Sequence, residues 1–191
     1  MASEIIIDDF LSDFDSFRSH CDDVIYDGEV NPVDDVFYPG VSLDIPKEVE
    51  DEIILKLQES IDSEIKVNAM FLRLSTDDMA APHQAHTDAS MGDFSLMLYL
   101  NRLEDCEGGT SYVMHKRTGM ASHPINEKQI KTWEEDCNNP EAWQITNICP
   151  MLPNRAFIFN ASAMHRAEPV GGFGDNAKNG RLVLTVFFNR A

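Results

Sequence analysis

Apolar residues recur at two different periods along this chain, and the change of period divides it. The run Ile5 to Ile7 is followed by Asp8-Asp9-Phe10-Leu11 and then by Phe14, Phe17 and Cys21 at spacings of three and four. That pattern predicts a strand leading into an amphipathic helix. Gly28, Pro32, Pro39-Gly40 and Pro46 then interrupt the chain too often for regular structure, which predicts a surface loop. Beyond Pro46, Val49, Ile53, Ile54, Leu57 and Ile61 fall on one helical face. Glu48, Glu50 and Asp51 stand in the first turn, where the helix dipole favours acids. A second packing helix follows from this.

After residue 66 the period becomes extended. Strands are predicted at Val67 to Leu74, Gln84 to Asp88, Phe94 to Leu100, Thr110 to Met114, Ala156 to Asn160 and Leu182 to Phe188, separated by Gly, Asn, Asp and Pro clusters. The polar stretch Ser122 to Cys149 holds a helix-like piece, Glu127 to Cys137, and both tryptophans, Trp133 and Trp143, and is expected to be a lid-like insertion. Helices first and many strands afterwards argue for an α+β fold, with the helices supporting one face of a β-sandwich or barrel. The expected organisation is a single domain over 1–191, with 1–65 as the supporting part and 66–191 as the β core.

Charge and composition narrow the function. Thirty-three acids against 15 bases leave a net charge of −18, and residues 1–60 alone carry 17 acids and 3 bases. Binding a polyanion requires a basic surface, so nucleic acid is an unlikely partner. No stretch reaches the roughly 20 apolar residues of a membrane span, and the first residues lack a signal-peptide pattern, so no membrane association and a cytoplasmic location are expected. Cys21, Cys106, Cys137 and Cys149 form no C-x-x-C pair and read as reduced thiols.

The candidate chemistry lies in His86-Thr87-Asp88. On a strand, side chains two apart share a face, so an imidazole and a carboxylate converge there. His165, just after the apolar run Ala156 to Phe159, is the candidate third ligand. Two histidines and one carboxylate make a facial triad with open positions, which suits non-haem Fe(II), although zinc sites use the same ligand types. Arg181 opens the apolar run Leu182 to Phe188, and a guanidinium at the mouth of a buried strand needs an anion. Tyr99, on Phe94 to Asn101, carries a hydroxyl able to join Arg181 in holding a carboxylate.

His86-Thr87-Asp88, the strand ending Leu98-Tyr99-Leu100-Asn101, the Gly108-Gly109-Thr110 turn, His165 and Arg181 stand in an order that resembles the Fe(II)- and 2-oxoglutarate-dependent oxygenase superfamily. The closer resemblance is to its prolyl-hydroxylase-like branch. Phe37-Tyr38-Pro39-Gly40, Gly109-Thr110-Ser111-Tyr112 and His115-Lys116-Arg117-Thr118-Gly119 are similar to an uncharacterised bacterial subgroup of it. The resemblance implies a double-stranded β-helix, the jelly-roll or cupin-like barrel. It gives His86, Asp88 and His165 as ligands of Fe(II), and Arg181 with Tyr99 as the seat of 2-oxoglutarate, with O₂ as the other co-substrate. The implied reaction is hydroxylation of an unactivated C–H in an amino acid, a peptidyl side chain or a small metabolite.

Two departures from the pattern stand out. Where the family often has a tyrosine on the strand before the first histidine, this chain reads Phe71-Leu72-Arg73-Leu74, so that Leu74 takes the tyrosine's place and Arg73 is available to compensate. The interval from His165 to Arg181 is long, with an inserted loop Gly171 to Gly180, and Arg166 is the other guanidinium on offer. His83 reads as a surface or supporting residue, His115 as a loop histidine or a residue lining the substrate mouth, and the tryptophans as packing anchors. The rival functions are a cupin-like metal- or ligand-binding protein without redox turnover and a metal-dependent hydrolase or isomerase on the same barrel. An edge strand makes a homodimer an open expectation.

Overall fold

The computed structural model describes residues 4–31, 33, 35–79 and 83–191. Strand β1 (Glu4–Ile7) leads into helix α1 (Phe14–Asp23), where the Asp13 carboxylate accepts from the Ser16 amide and so caps an otherwise orphan donor. Helix α2 (Lys47–Ile61) starts directly after Pro46, and Asp62 closes it in the left-handed region at φ 51°. Between them lie three two-residue strands, β2 (Glu29–Val30), β3 (Phe37–Tyr38) and β4 (Val41–Ser42), in the stretch read from its breakers as loop. The difference arises because β4 is held by pairing to a distant strand, Val41 opposite Arg73, which local periodicity does not register.

The core strands follow as β5 (Ile65–Ser75), β6 (Phe94–Tyr99), β7 (Gly109–His115), β8 (Trp143–Pro150), β9 (Ala156–Asn160), β10 (His165–Glu168) and β11 (Arg181–Arg190), with helix α3 (Glu127–Asp136) between β7 and β8. Six strands form one antiparallel sheet in the order β1-β9-β6-β11-β5-β4, and three form another in the order β10-β7-β8. Alternation along β11 shows how the layers are built. Leu182, Leu184 and Val186 point to one side and join Phe17, Cys21, Ile53 and Leu57 of the helices in the main core. Val183 points to the other side, where it packs with Tyr99, Phe157 and Phe159 against Cys149 of β8 in the smaller sheet and Met151 just beyond it. Burying each large aliphatic side chain is worth about 1.5–3 kcal/mol, so these two apolar layers fix which face of β11 looks into the space between the sheets.

Two expectations are corrected. Gln84 to Asp88 is not a strand: a single bridge pairs His86 with His165, and Asp88 is tied instead by its amide to the Ala161 carbonyl. The last part of the expected lid, from Trp143 to Cys149, lies in β8 (Trp143–Pro150), paired along β7 from His115↔Trp143 to Gly109↔Pro150. Its exposed Gln144, Ile145 and Thr146 break the apolar alternation that marks a half-buried strand, because this is an edge. Among the described residues no helix is long and apolar enough to cross a membrane.

Candidate metal centre

The bridge between His86 and His165 brings two residues 79 positions apart within reach of each other. Their amides and carbonyls exchange hydrogen bonds of 3.0 and 2.9 Å, and their rings sit with centroids 4.4 Å apart. His86 Nε2 lies 3.6 Å from Asp88 Oδ1, and His165 Nε2 lies 3.4 Å from Asp88 Oδ2. One ligand atom from each of the three residues fits within a span of 4.8 Å. An ion held about 2.0–2.2 Å from each ligand would place neighbouring ligands roughly 3 Å apart, so this cluster is near that size.

The ring orientations favour a cation. His86 Nδ1 faces the Gln84 carbonyl at 3.1 Å and His165 Nδ1 faces the Ala163 carbonyl at 2.9 Å. A carbonyl only accepts, so each Nδ1 carries the proton and each Nε2 is free to present a lone pair toward Asp88. His165 Nε2 is buried and makes no hydrogen bond, an arrangement that is costly unless something binds it. Asp88 Oδ2 accepts 2.7 Å from the buried Ser95 hydroxyl, which fixes the carboxylate plane. Phe159 meets the His165 ring edge-on at 4.8 Å. The donor set therefore fits a divalent ion approached from the His86 side, where a third of that side chain is exposed.

Charge within the cluster is strongly coupled. Burial works to raise the Asp88 pKa, but the neighbouring imidazole of His165, then His86 and Ser95, outweigh it and hold the carboxyl at about 2. Burial works against charge on His165 as well, and there Asp88 prevails and the pKa rises. His86 is pulled down to about 4, by burial first and by His165 second. A divalent ion held by these three residues would balance the Asp88 carboxylate without a proton.

The segment before His86 is held by residues that sequence reasoning left out of the site. The Trp133 indole N–H donates to the Ala85 carbonyl at 2.8 Å, the Ala85 amide donates to Cys137 O at 3.0 Å, and the Gln84 amide donates to Asn138 Oδ1 at 2.9 Å. The His83 ring packs on Trp133 with centroids 5.1 Å apart. The end of α3 therefore clamps the segment that carries His86. Trp133 was legible only as an aromatic on a predicted helix, since its partner is 48 residues away. His115 is likewise internal: its ring nitrogens meet Thr118 Oγ1 at 2.8 Å and Asp136 Oδ2 at 3.0 Å, and its ring packs on Trp143. His123 Nδ1 meets Thr87 Oγ1 at 2.8 Å, beside the cluster.

Tyr99 and Arg181 converge on one hydroxyl. Tyr99 OH lies 2.9 Å from Thr110 Oγ1, and Arg181 Nη2 lies 3.4 Å from the same atom and 3.4 Å from Gly109 O. Gly109 sits at φ +148°, and a Cβ there would come 2.0 Å from Cys149 O, so the close pairing of β7 with β8 at this turn requires glycine. Arg181 is 5% exposed, and its Nε is without a hydrogen-bond partner. Arg166, the other guanidinium on offer, donates from Nε to Glu168 Oε1 at 2.7 Å and is thereby neutralised.

The architecture of this chain is the double-stranded β-helix of solved non-haem oxygenases. The viral collagen prolyl hydroxylase vCPH from Paramecium Bursaria Chlorella virus-1 superposes with a TM-score of 0.56 at 14% identity, covering 99% of this chain and 90% of that one. EctD from S. alaskensis, solved with 2-oxoglutarate and 5-hydroxyectoine, gives 0.56 at 13%, covering 98% and 72%. The non-heme alpha ketoglutarate dependent epimerase SnoN from nogalamycin biosynthesis gives 0.56 at 9%, covering 97% and 78%. By sequence the chain belongs to a family described as a family of unknown function (DUF6445), whose model matches residues 2–188. No curated protein sequence matches it.

Proposed function

We propose that this protein is a non-haem Fe(II)- and 2-oxoglutarate-dependent dioxygenase that hydroxylates an unactivated C–H of an amino acid, a peptidyl side chain or a small metabolite. The observation that carries the reading is the pairing of two incomplete sites in one barrel. One is the unbonded, buried Nε2 of His165 beside Asp88 and His86, and the other is the buried Arg181 guanidinium without an acid partner among the described residues.

In this reading His86, Asp88 and His165 hold the iron, and the Gln84 and Ala163 carbonyls orient the two rings through Nδ1–H. Arg181 receives the distal carboxylate of the keto acid, and Tyr99 joins it when its hydroxyl proton turns from Thr110 Oγ1 to the ligand. Bound iron, with the keto acid and O₂, supplies the oxidation of the C–H while 2-oxoglutarate is converted to succinate and CO₂. Phe157, Phe159 and Tyr112 wall the space between the sheets with stacked and edge-on rings, which limits water. Retention of the Asp88 carboxylate supports hydroxylation over halogenation.

Anaerobic addition of Fe(II) and then 2-oxoglutarate tests the reading. A weak visible charge-transfer band should appear, Arg181→Ala should weaken it and His165→Ala should abolish it. In air, succinate should accumulate when a matching amino acid, peptide or metabolite is supplied. No band together with tight zinc binding would replace the oxygenase with a metal-binding protein or hydrolase on the same barrel.

A further inference from the structure

The pairing of β5 with β11 sets Arg73 opposite Val183 and Ser75 opposite Arg181. On the other side of β11, Tyr99 also stands opposite Val183. Residues two apart on a strand share a face, so Arg73, Arg181 and Tyr99 lie around Val183 on the sheet face that looks between the layers. Two guanidiniums are therefore diagonal neighbours.

Their partners set them apart from other arginines of this chain. Arg18 has Asp22, Arg155 has Asp8 and Arg166 has Glu168. Among the described residues Arg181 meets only Gly109 O and Thr110 Oγ1, while Arg73 meets the Ser75 hydroxyl at 3.5 Å and the Tyr38 ring at 5.6 Å. Among the described residues no carboxylate neutralises either one, in a chain with more than twice as many acids as bases. Burial first and Arg181 second lower the Arg73 pKa to about 10, still well above neutrality. Neighbouring like charges repel, and neither guanidinium can shed its proton at neutral pH. A bound anion relieves both at once.

We infer that Arg73 is a second co-substrate-binding residue, forming with Arg181 a two-guanidinium seat for the distal carboxylate of a dicarboxylic keto acid. This deepens the oxygenase reading and rests on it. The seat is set apart from the metal end of the barrel: Ser95, which holds Asp88, begins the stretch of β6 that reaches Tyr99 four residues later, about 13 Å along an extended strand. Long arginine side chains close part of that distance. A ligand reaching both ends needs a carboxylate remote from its keto acid, which 2-oxoglutarate has and pyruvate lacks. Two charged seats sharing one carboxylate also make the pocket more demanding of that second charge than a single arginine would be.

Calorimetric titration of the Mn(II)-loaded protein tests the assignment. Arg73→Gln should weaken 2-oxoglutarate by about 10-fold or more, the size of one lost charge-assisted hydrogen bond. Pyruvate binding should stay within twofold, and Arg73→Lys should recover part of the loss. Without ligand, Arg73→Gln should melt no lower than the native protein, because a repulsion has been removed, and that measurement separates a binding loss from misfolding. Unchanged 2-oxoglutarate affinity in Arg73→Gln, or equal loss for pyruvate, would overturn the role of Arg73. If Arg181→Gln also left 2-oxoglutarate unaffected, the oxygenase reading itself would fail.

Discussion

Replacing Trp133 by Phe removes one hydrogen bond and little else, and its effect should be local. The indole N–H reaches the carbonyl of Ala85, a fully buried residue, so water cannot take the vacated place. Phenylalanine keeps an aromatic ring against His83, which leaves the packing term nearly intact. An unpaired buried carbonyl costs about 1–3 kcal/mol, and partial relaxation puts the expected loss near the lower half of that range. The segment keeps its bonds from Ala85 N to Cys137 O and from Gln84 N to Asn138, and the pair of bonds between His86 and His165. It should therefore open by itself rather than take the fold with it. A loss of about 1–2 kcal/mol corresponds to roughly 5–30-fold faster hydrogen exchange at the Ala85 and His86 amides. Exchange in β6 and β11 should not change. Metal affinity should fall as well, to the extent that the open form is populated. Uniformly faster exchange over the whole chain, or no change at Ala85 and His86, would show that Trp133 is only a packing anchor.

Two further outcomes follow from the same contacts. Ser95→Ala frees Asp88 Oδ2 from its 2.7 Å donor and should weaken Fe(II) or Zn(II) binding by about 10-fold or more in a chelator competition, with Ser95→Thr retaining most of the affinity. Asp22 sits between Arg18 and Arg102, at 2.8 Å from each. Burial works to raise its pKa, and the hydrogen bond from Arg102 with the charge of Arg18 outweighs it and holds the pKa below the ordinary 3.8. A folded-state pKa below the unfolded one contributes stability above pH 3.8 that is lost as pH falls through the folded value. Asp22→Asn should cost about 1–2 kcal/mol at pH 7, discounted for the partial exposure of Asp22 and Arg102, or some 2–8 °C in melting temperature. The gap between native and variant should narrow in thermal melts at pH 3, and a constant gap would refute the assignment.

Local patterns carried far in this chain. The spacing of Val49, Ile53, Leu57 and Ile61 determined α2, because an amphipathic helix needs only its own residues to announce its buried face. The extended runs at Phe94 to Leu100 and Leu182 to Phe188 were legible in the same way, since both faces of these central strands are buried. The order of His86, Asp88, His165 and Arg181 was enough to name the candidate metal ligands and a candidate anion-binding residue. Where local signals are weak, the structure departs from the pattern. Gln84 to Asp88 is held in place by α3 and by His165 rather than by a strand ladder of its own. Exposed positions on β8 concealed an edge strand.

What the sequence by itself determined, then, was the helices, the central strands and the residue types able to hold a metal and an anion. Only the tertiary structure decided that the two imidazoles meet beside Asp88, that Trp133 holds the backbone just before one of them, and that Arg73 faces the same space as Arg181. Those facts depend on strand register and on contacts between residues tens of positions apart. Such pairings are chosen by burial over the whole core, and a single side-chain period carries no record of them.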